Sequence, residues 1–204
     1  MKTVVQGGGL AVTGEADLLD GGEVLVEDGL ITAVGPPGSF TSGPGDKVVD
    51  ATGCLVVPGL VNTHQHDWYL LGKGLGGGMI LEQWIRDCLF PLKANLTLDD
   101  LRVASELACL DMIRGGTTTS VNHAVITTTA AEEEAILQPV ADSGMRQFFA
   151  KAVRPDDVPS DYAGARATHE RWNGEAGGRI EIGFVLEATS HWVAAGTSTE
   201  EMVV

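Results

Sequence analysis

The sequence predicts an α/β fold, the first half of an eight-stranded (β/α) barrel preceded by part of a small β-sheet module. Two observations predict it. From residue 60 onward β-favouring runs alternate with helical ones, the pattern of a parallel sheet with crossover helices. Only four such units follow, whereas a closed barrel has eight in about 250 residues. Left open, a four-unit parallel sheet exposes unpaired backbone N–H and C=O groups. The expected domains are therefore residues 1–57, a β module, and 58–204, the first four strand-helix units of a truncated barrel.

In EVLVEDGLITAVG (23–35) two β-favouring runs flank Asp28-Gly29, a dipeptide that tolerates the positive φ angles of a type I′ turn, so a hairpin is expected. FTSGPGD (40–46) is a loop by composition, and KVVDATGCLVVPG (47–59) supplies a further strand pair. A module of this size sits at the limit where burial alone stabilises a domain. GLVNTH begins the second part as a short strand. LTLDDLRVASELACLDMIRGG (96–116) reads as a helix with Thr97 as N-cap, acids in its first turn, and Arg114 and glycines at its end. TTTSVNH (117–123) is the second strand. The helix TAAEEEAILQPVADSG (129–144) is expected to kink or break at Pro139. MRQFFAKAV (145–153) and RIEIGFVLE (179–187) are the third and fourth strands, with a weaker helix at about 159–175 between them. STEEMVV (198–204) has the acids and hydroxyls of a helix start.

A hydrophobic content of 44% is that of a globular chain, and a net charge of −15 repels nucleic acid and acidic membrane surfaces. A small neutral or cationic partner suits it better. No apolar run has signal-peptide length or approaches the ~20 residues of a membrane helix, so a soluble, cytoplasmic protein is expected. Cys54, Cys88 and Cys109 match neither a disulfide framework nor a metal-binding CxxC, and three buried reduced thiols are expected.

The stretch PGLVNTHQHDWYLLGKG (58–74) places His64 and His66 two positions apart at the end of the first barrel strand. Alternation along a strand points both imidazoles the same way and Gln65 the other. At the C-terminal end of a barrel strand they face the mouth where barrel enzymes build their sites, and imidazole is the commonest nitrogen ligand of Zn²⁺. Taken alone the pair also fits two strand-end histidines with ordinary hydrogen bonds.

VVPGLVNTHQH, followed in order by LLGKGLGGGMILEQWI, FPLKANLTLDDL and ACLDMIRGGTTTSVNH, resembles the metal-dependent amidohydrolase superfamily over essentially the whole chain. The resemblance is to its branch of aminohydrolases and chlorohydrolases acting on heterocycles. It implies that residues 1–57 are the N-terminal part of a composite β-sandwich completed after the barrel. It also implies one divalent metal ion, zinc with iron or manganese as alternatives, held by the first-strand HxH and by residues from later strands. Only His64 and His66 carry over. The remaining ligands and the proton-shuttling glutamate have no counterpart before residue 204, so no further catalytic residue is expected within the chain, and by itself it is expected to be inactive.

For the complete protein the resemblance implies hydrolytic deamination of a nitrogen heterocycle by metal-activated water. Ring dechlorination or cyclic-amide hydrolysis are alternatives on the same fold. A rival of another class is a non-catalytic fragment that associates through its open sheet edge. The partner expected is a small heterocyclic substrate, with neither nucleic acid nor membrane; homo-oligomerisation is left open. Trp84 is expected to line the substrate pocket, or else a core turn; His123 and His191, both following strands, are expected to contact substrate, or else to be a backbone-bonded strand-end residue and a surface loop residue. His169 reads as solvent-facing, and Glu132, Glu133 and Glu134 as favourable helix-dipole partners. Relatives carry arginine where this chain has Lys73, which lacks the bidentate guanidinium.

Overall fold

The computed structural model describes residues 2–11, 18–153 and 158–186. The chain divides into two compact units, Met1–Gly59 and Leu60–Val204.

The first unit is a five-stranded sheet. β1 (Lys2–Ala11) lies between β2 (Leu18–Glu27), which runs antiparallel to it, and β4 (Lys47–Asp50), which runs parallel; β3 (Leu30–Gly35) extends the other side of β2. The β2–β3 turn has φ of 50° at Asp28 and 84° at Gly29, as the expected hairpin requires. The expected pair in 47–59 forms differently: β4 and β5 (Leu55–Val56) do not pair with each other but lie end to end along β1, both parallel to it. Between them β1 is bulged at its triple glycine, where a Cβ on Gly8 would stand 2.8 Å from Val56 Cγ2. Glu23, 6% exposed, accepts bonds from the Gly38 and Phe40 amides at 2.9 Å each. Those amides hold its carboxyl below the usual range.

The second unit is a parallel sheet in the order β6 (Leu60–Gln65), β7 (Thr117–Ala124), β8 (Arg146–Val153), β9 (Ile180–Leu186). A 3₁₀ turn (Asp67–Gly72), short helices α1 (Leu81–Trp84) and α2 (Phe90–Asn95) with a π-type turn (Ile85–Leu89) between them, and the long helix α3 (Leu98–Arg114) connect β6 to β7. Helices α4 (Ala130–Ser143), α5 (Val158–Trp172) and the short α6 (Glu175–Gly178) make the later connections. Pro139 does not break α4: the helix continues to Ser143 with Pro139 itself buried, and stops at Gly144, whose φ of 84° ends it in the left-handed region. In-register partners on parallel strands share a face. Ser120, Asn122, Gln147, Phe149, Ile180 and Ile182 therefore face the helices, and Val121, His123, Phe148 and Ala150 the opposite side. The core lies in the helix-covered layer, where Leu101, Ala108, Met112, Ile136, Leu137, Val140 and Trp172 close over Phe149, Ile180 and Ile182.

The expectation of three buried thiols is corrected. Cys109 is buried, Cys54 is exposed on the short β module, and Cys88 is half-buried. Cys54 lies in the exposed turn just before β5, whereas Cys109 sits on the inner side of α3 within the core. Burial pushes the Cys109 thiol up to about 11.

Candidate metal centre

β6 delivers His64 and ends one residue before His66. The strand is bulged, with register shifts on either side of Val61–Asn62, and Gln65 pairs with Asn122 on the helix side while both histidines point to the other. Their Nε2 atoms stand 3.2 Å apart, with the rings at 88°. Two nitrogens about 2.0–2.1 Å from one tetrahedral cation are separated by about 3.3 Å, so the spacing fits a shared ion.

The protonation pattern fits as well. His66 Nδ1 lies 2.8 Å from the His123 carbonyl oxygen, which only accepts, so Nδ1 carries the proton and Nε2 keeps its lone pair. A backbone carbonyl behind a ligand imidazole is the usual means of fixing its tautomer. Burial lowers the His66 pKa, with His64 and His123 adding to the effect and the carbonyl bond opposing it, which favours the neutral ring. On the next strand the His123 ring lies 4.3 Å from His64 and 5.9 Å from His66, centroid to centroid. Its pKa is lowered too, first by burial and then by His64, while the Thr63 backbone pulls the other way. Among the described residues no group of three or more His, Cys, Asp or Glu side chains is placed to hold a metal. His64 and His66 are two nitrogen donors, one fewer than the three protein ligands a catalytic zinc usually has.

The two histidines open onto a cleft of about 540 Å³ whose lining includes Asn62, Tyr69, Lys73 and Asp111. Lys73 is engaged there with Asp111 at 3.1 Å. Trp84 does not line this cleft. Its indole N–H donates to the Tyr69 hydroxyl at 2.6 Å, the rings meet edge to face at 4.9 Å, and Tyr69 is the residue that reaches the cleft. The approach is so close that a Cβ on Gly76 would stand 2.3 Å from Trp84 Cδ1, at a backbone φ of 80° that glycine tolerates. His191 lies outside the described residues. His169 is exposed on α5. The acid run is structural in three distinct ways: Glu132 caps α4, Glu133 pairs with Lys151 inside the core, and Glu134 pairs with Arg171.

Sequence reasoning missed the buried polar layer behind the pair. Asp67, fully buried, accepts from the Asn122 and Gln147 side-chain amides at 2.8 and 2.9 Å, and Gln147 also donates to Ser120. Burial pushes the Asp67 carboxyl up to about 6, against the amides of Gln147 and Gln65. The signal available was an acid directly after HxH and an amide directly before His123, in HQHD and VNH.

The amidohydrolase family's sequence profile matches residues 55–189, which takes in all four strands and the histidine pair. The chain belongs to the amidohydrolase family. Among curated amidohydrolase relatives, a 5-methylthioadenosine/S-adenosylhomocysteine deaminase from Symbiobacterium thermophilum is 34% identical over 184 residues, covering 88% of this chain and 41% of that protein. A 5′-deoxyadenosine deaminase from Methanosarcina mazei is 35% identical over 162 residues, covering 78% and 36%. The chain thus spans less than half the length of these relatives. Among solved structures, an atrazine chlorohydrolase from Arthrobacter aurescens complexed with zinc superposes with a TM-score of 0.79 at 16% identity, over 92% of this chain and 47% of that one. The parallel sheet is accordingly half of an amidohydrolase barrel.

Proposed function

We propose that the protein to which these residues belong is a metal-dependent aminohydrolase that hydrolytically removes the exocyclic amino group of an adenosine-type nucleoside. The observation that carries this reading is the convergence of His64 and His66, Nε2 to Nε2, with the His66 tautomer set by the His123 carbonyl. The curated relatives deaminate 5′-modified adenosines, which supports the substrate class.

The net reaction replaces a ring C–NH₂ bond with C–O and releases ammonia. A divalent cation, zinc before iron or manganese, would supply Lewis acidity toward water in the site. The chain's own residues do the rest of what can be assigned to this half. On the sheet face that would line the barrel interior, His66 presents its Nε2 lone pair, with His64 Nε2 3.2 Å from it. His123, beside them, is placed to accept or donate one hydrogen bond to a purine edge. Tyr69 offers a ring for stacking at the cleft, buttressed by Trp84 behind it. His191 remains a proposed rim contact. Residues 1–57 are proposed as part of the composite β-sandwich. No helix among the described residues is long and apolar enough to cross a membrane.

The test is turnover by the full-length protein on 5′-deoxyadenosine, 5′-methylthioadenosine, guanine and a chlorinated triazine. Ammonia release from the adenosine-type substrates, with the ultraviolet change from a 6-amino to a 6-oxo purine, is the expected result. Chloride release from the triazine alone, or ammonia from guanine alone, would move the substrate assignment to those rings.

A further inference from the structure

We propose that Asn122 is a positioning residue for His66: from the helix-covered side of the sheet it anchors Asp67, and so fixes the peptide on which the His66 imidazole turns. The inference deepens the metal reading above and rests on it for its functional meaning, but its geometry is independent of any bound ion.

Consecutive residues of β7 grip consecutive residues of the β6 exit, one from each face of the sheet. On the open face the His123 carbonyl accepts from His66 Nδ1 at 2.8 Å. On the covered face the Asn122 carboxamide makes a two-way contact with Asp67: Nδ2 donates to Oδ2 at 2.8 Å, and Oδ1 accepts from the Asp67 backbone N–H at 3.4 Å. The amide itself is held in turn, since its Nδ2 also approaches Gln147 Oε1 at 3.3 Å. Gln147 Nε2 donates a second bond to Asp67 Oδ2 at 2.9 Å and another to Ser120 Oγ at 3.2 Å. Asn122, Asp67, Gln147 and Ser120 are each at most 2% exposed.

As a packing solution this is expensive. A carboxyl group enclosed by neutral amides, with Oδ1 buried and no partner at hydrogen-bond distance, costs more than aliphatic side chains of the same volume would. What aliphatic packing would not supply is direction. With three directed contacts on Asp67, the 66–67 peptide has one orientation relative to β7, and the His123 carbonyl then meets Nδ1 rather than Nε2. Released from Asp67, the His66 ring is free to turn about its own χ angles, and the lone pair facing His64 is no longer assured.

The experiment uses full-length protein labelled with ¹⁵N-histidine, metal-free and then titrated with Co²⁺, comparing wild type with Asn122→Leu and Gln147→Leu. Long-range ¹H–¹⁵N spectra read the tautomer of each imidazole directly. Wild type is expected to show His66 entirely as the Nδ1–H form. Asn122→Leu is expected to show a mixture of tautomers and a Co²⁺ affinity lowered about 10- to 100-fold, the range for loss of a residue supporting a ligand. Gln147→Leu, which withdraws one of two donors from Asp67 Oδ2 and leaves Asn122 in place, is expected to move both readouts the same way by less; it carries the test if Asn122→Leu does not fold. A folded variant in which His66 stays wholly Nδ1–H and Co²⁺ binds as in wild type overturns the proposal. The two readings separate cleanly: a tautomer that shifts in protein that never binds Co²⁺ sinks the metal centre and leaves the positioning role standing.

Discussion

Glu133 and Lys151 meet within the helix–sheet layer, about 5% exposed each, and the Thr168 hydroxyl donates to the second carboxylate oxygen at 2.7 Å. Taking both charges out of water costs several kcal/mol per ion, repaid by their mutual attraction and by the added hydrogen bonds. Lys151→Met leaves a bare carboxylate in that layer and is expected to lower stability by about 3–5 kcal/mol in urea unfolding, whereas Lys151→Met with Glu133→Leu recovers most of the loss. Equal destabilisation by the single and double variants would show that the pair itself contributes nothing. None of this was legible in EEE, which reads as a favourable helix start. The burial of its middle member depends on the register of α4 against a lysine 18 positions away. His64 and His66 are the opposite case, because their common direction follows from strand alternation alone.

Helices α3 and α4 carry the same start signal, and both are capping boxes. The Thr97 hydroxyl accepts from the Asp100 amide while the Asp100 carboxylate accepts from the Thr97 amide, and Thr129 and Glu132 repeat the arrangement. Thr129→Ala is expected to cost about 1 kcal/mol in thermal or urea unfolding. A cost near zero would mean that Glu132 caps α4 alone, through its bonds to the Thr128 and Thr129 amides. Local signals of this kind made the four parallel strands, α3, α4, α5 and the Asp28-Gly29 hairpin readable in advance, whereas the short turns and helices between residues 67 and 95 were not. The placement of β4 and β5 was not, because both pair with β1 some forty residues earlier and no turn between them encodes that partner. At Pro139 the expected break does not occur for a similar reason: the proline rule weighs the lost backbone bond, while the side chain's burial in the α4 interface is a tertiary gain.

At the scale of the molecule, each unit has its own account. The second unit is a four-stranded parallel sheet whose first and last strands, β6 and β9, each have one partner among the described residues. Leu60 and Val61 on β6 and Val103, Leu107, Leu110 and Ile113 on α3 are exposed apolar residues, the α3 set at helical spacing. That surface is what half a barrel presents. The amidohydrolase relatives are more than twice as long as the region they share with this chain. The candidate site follows the same division: the His64–His66 pair lies wholly within these residues, and the His66 ring is oriented by β7 and, through Gln147 on Asp67, by β8. The most direct test is metal content, by elemental analysis, together with ammonia release from 5′-deoxyadenosine, for full-length protein with and without His64→Ala and His66→Ala. The account predicts about one bound divalent ion per wild-type chain, with both the ion and the turnover lost in the double variant. A double variant that keeps its metal and its rate would contradict it.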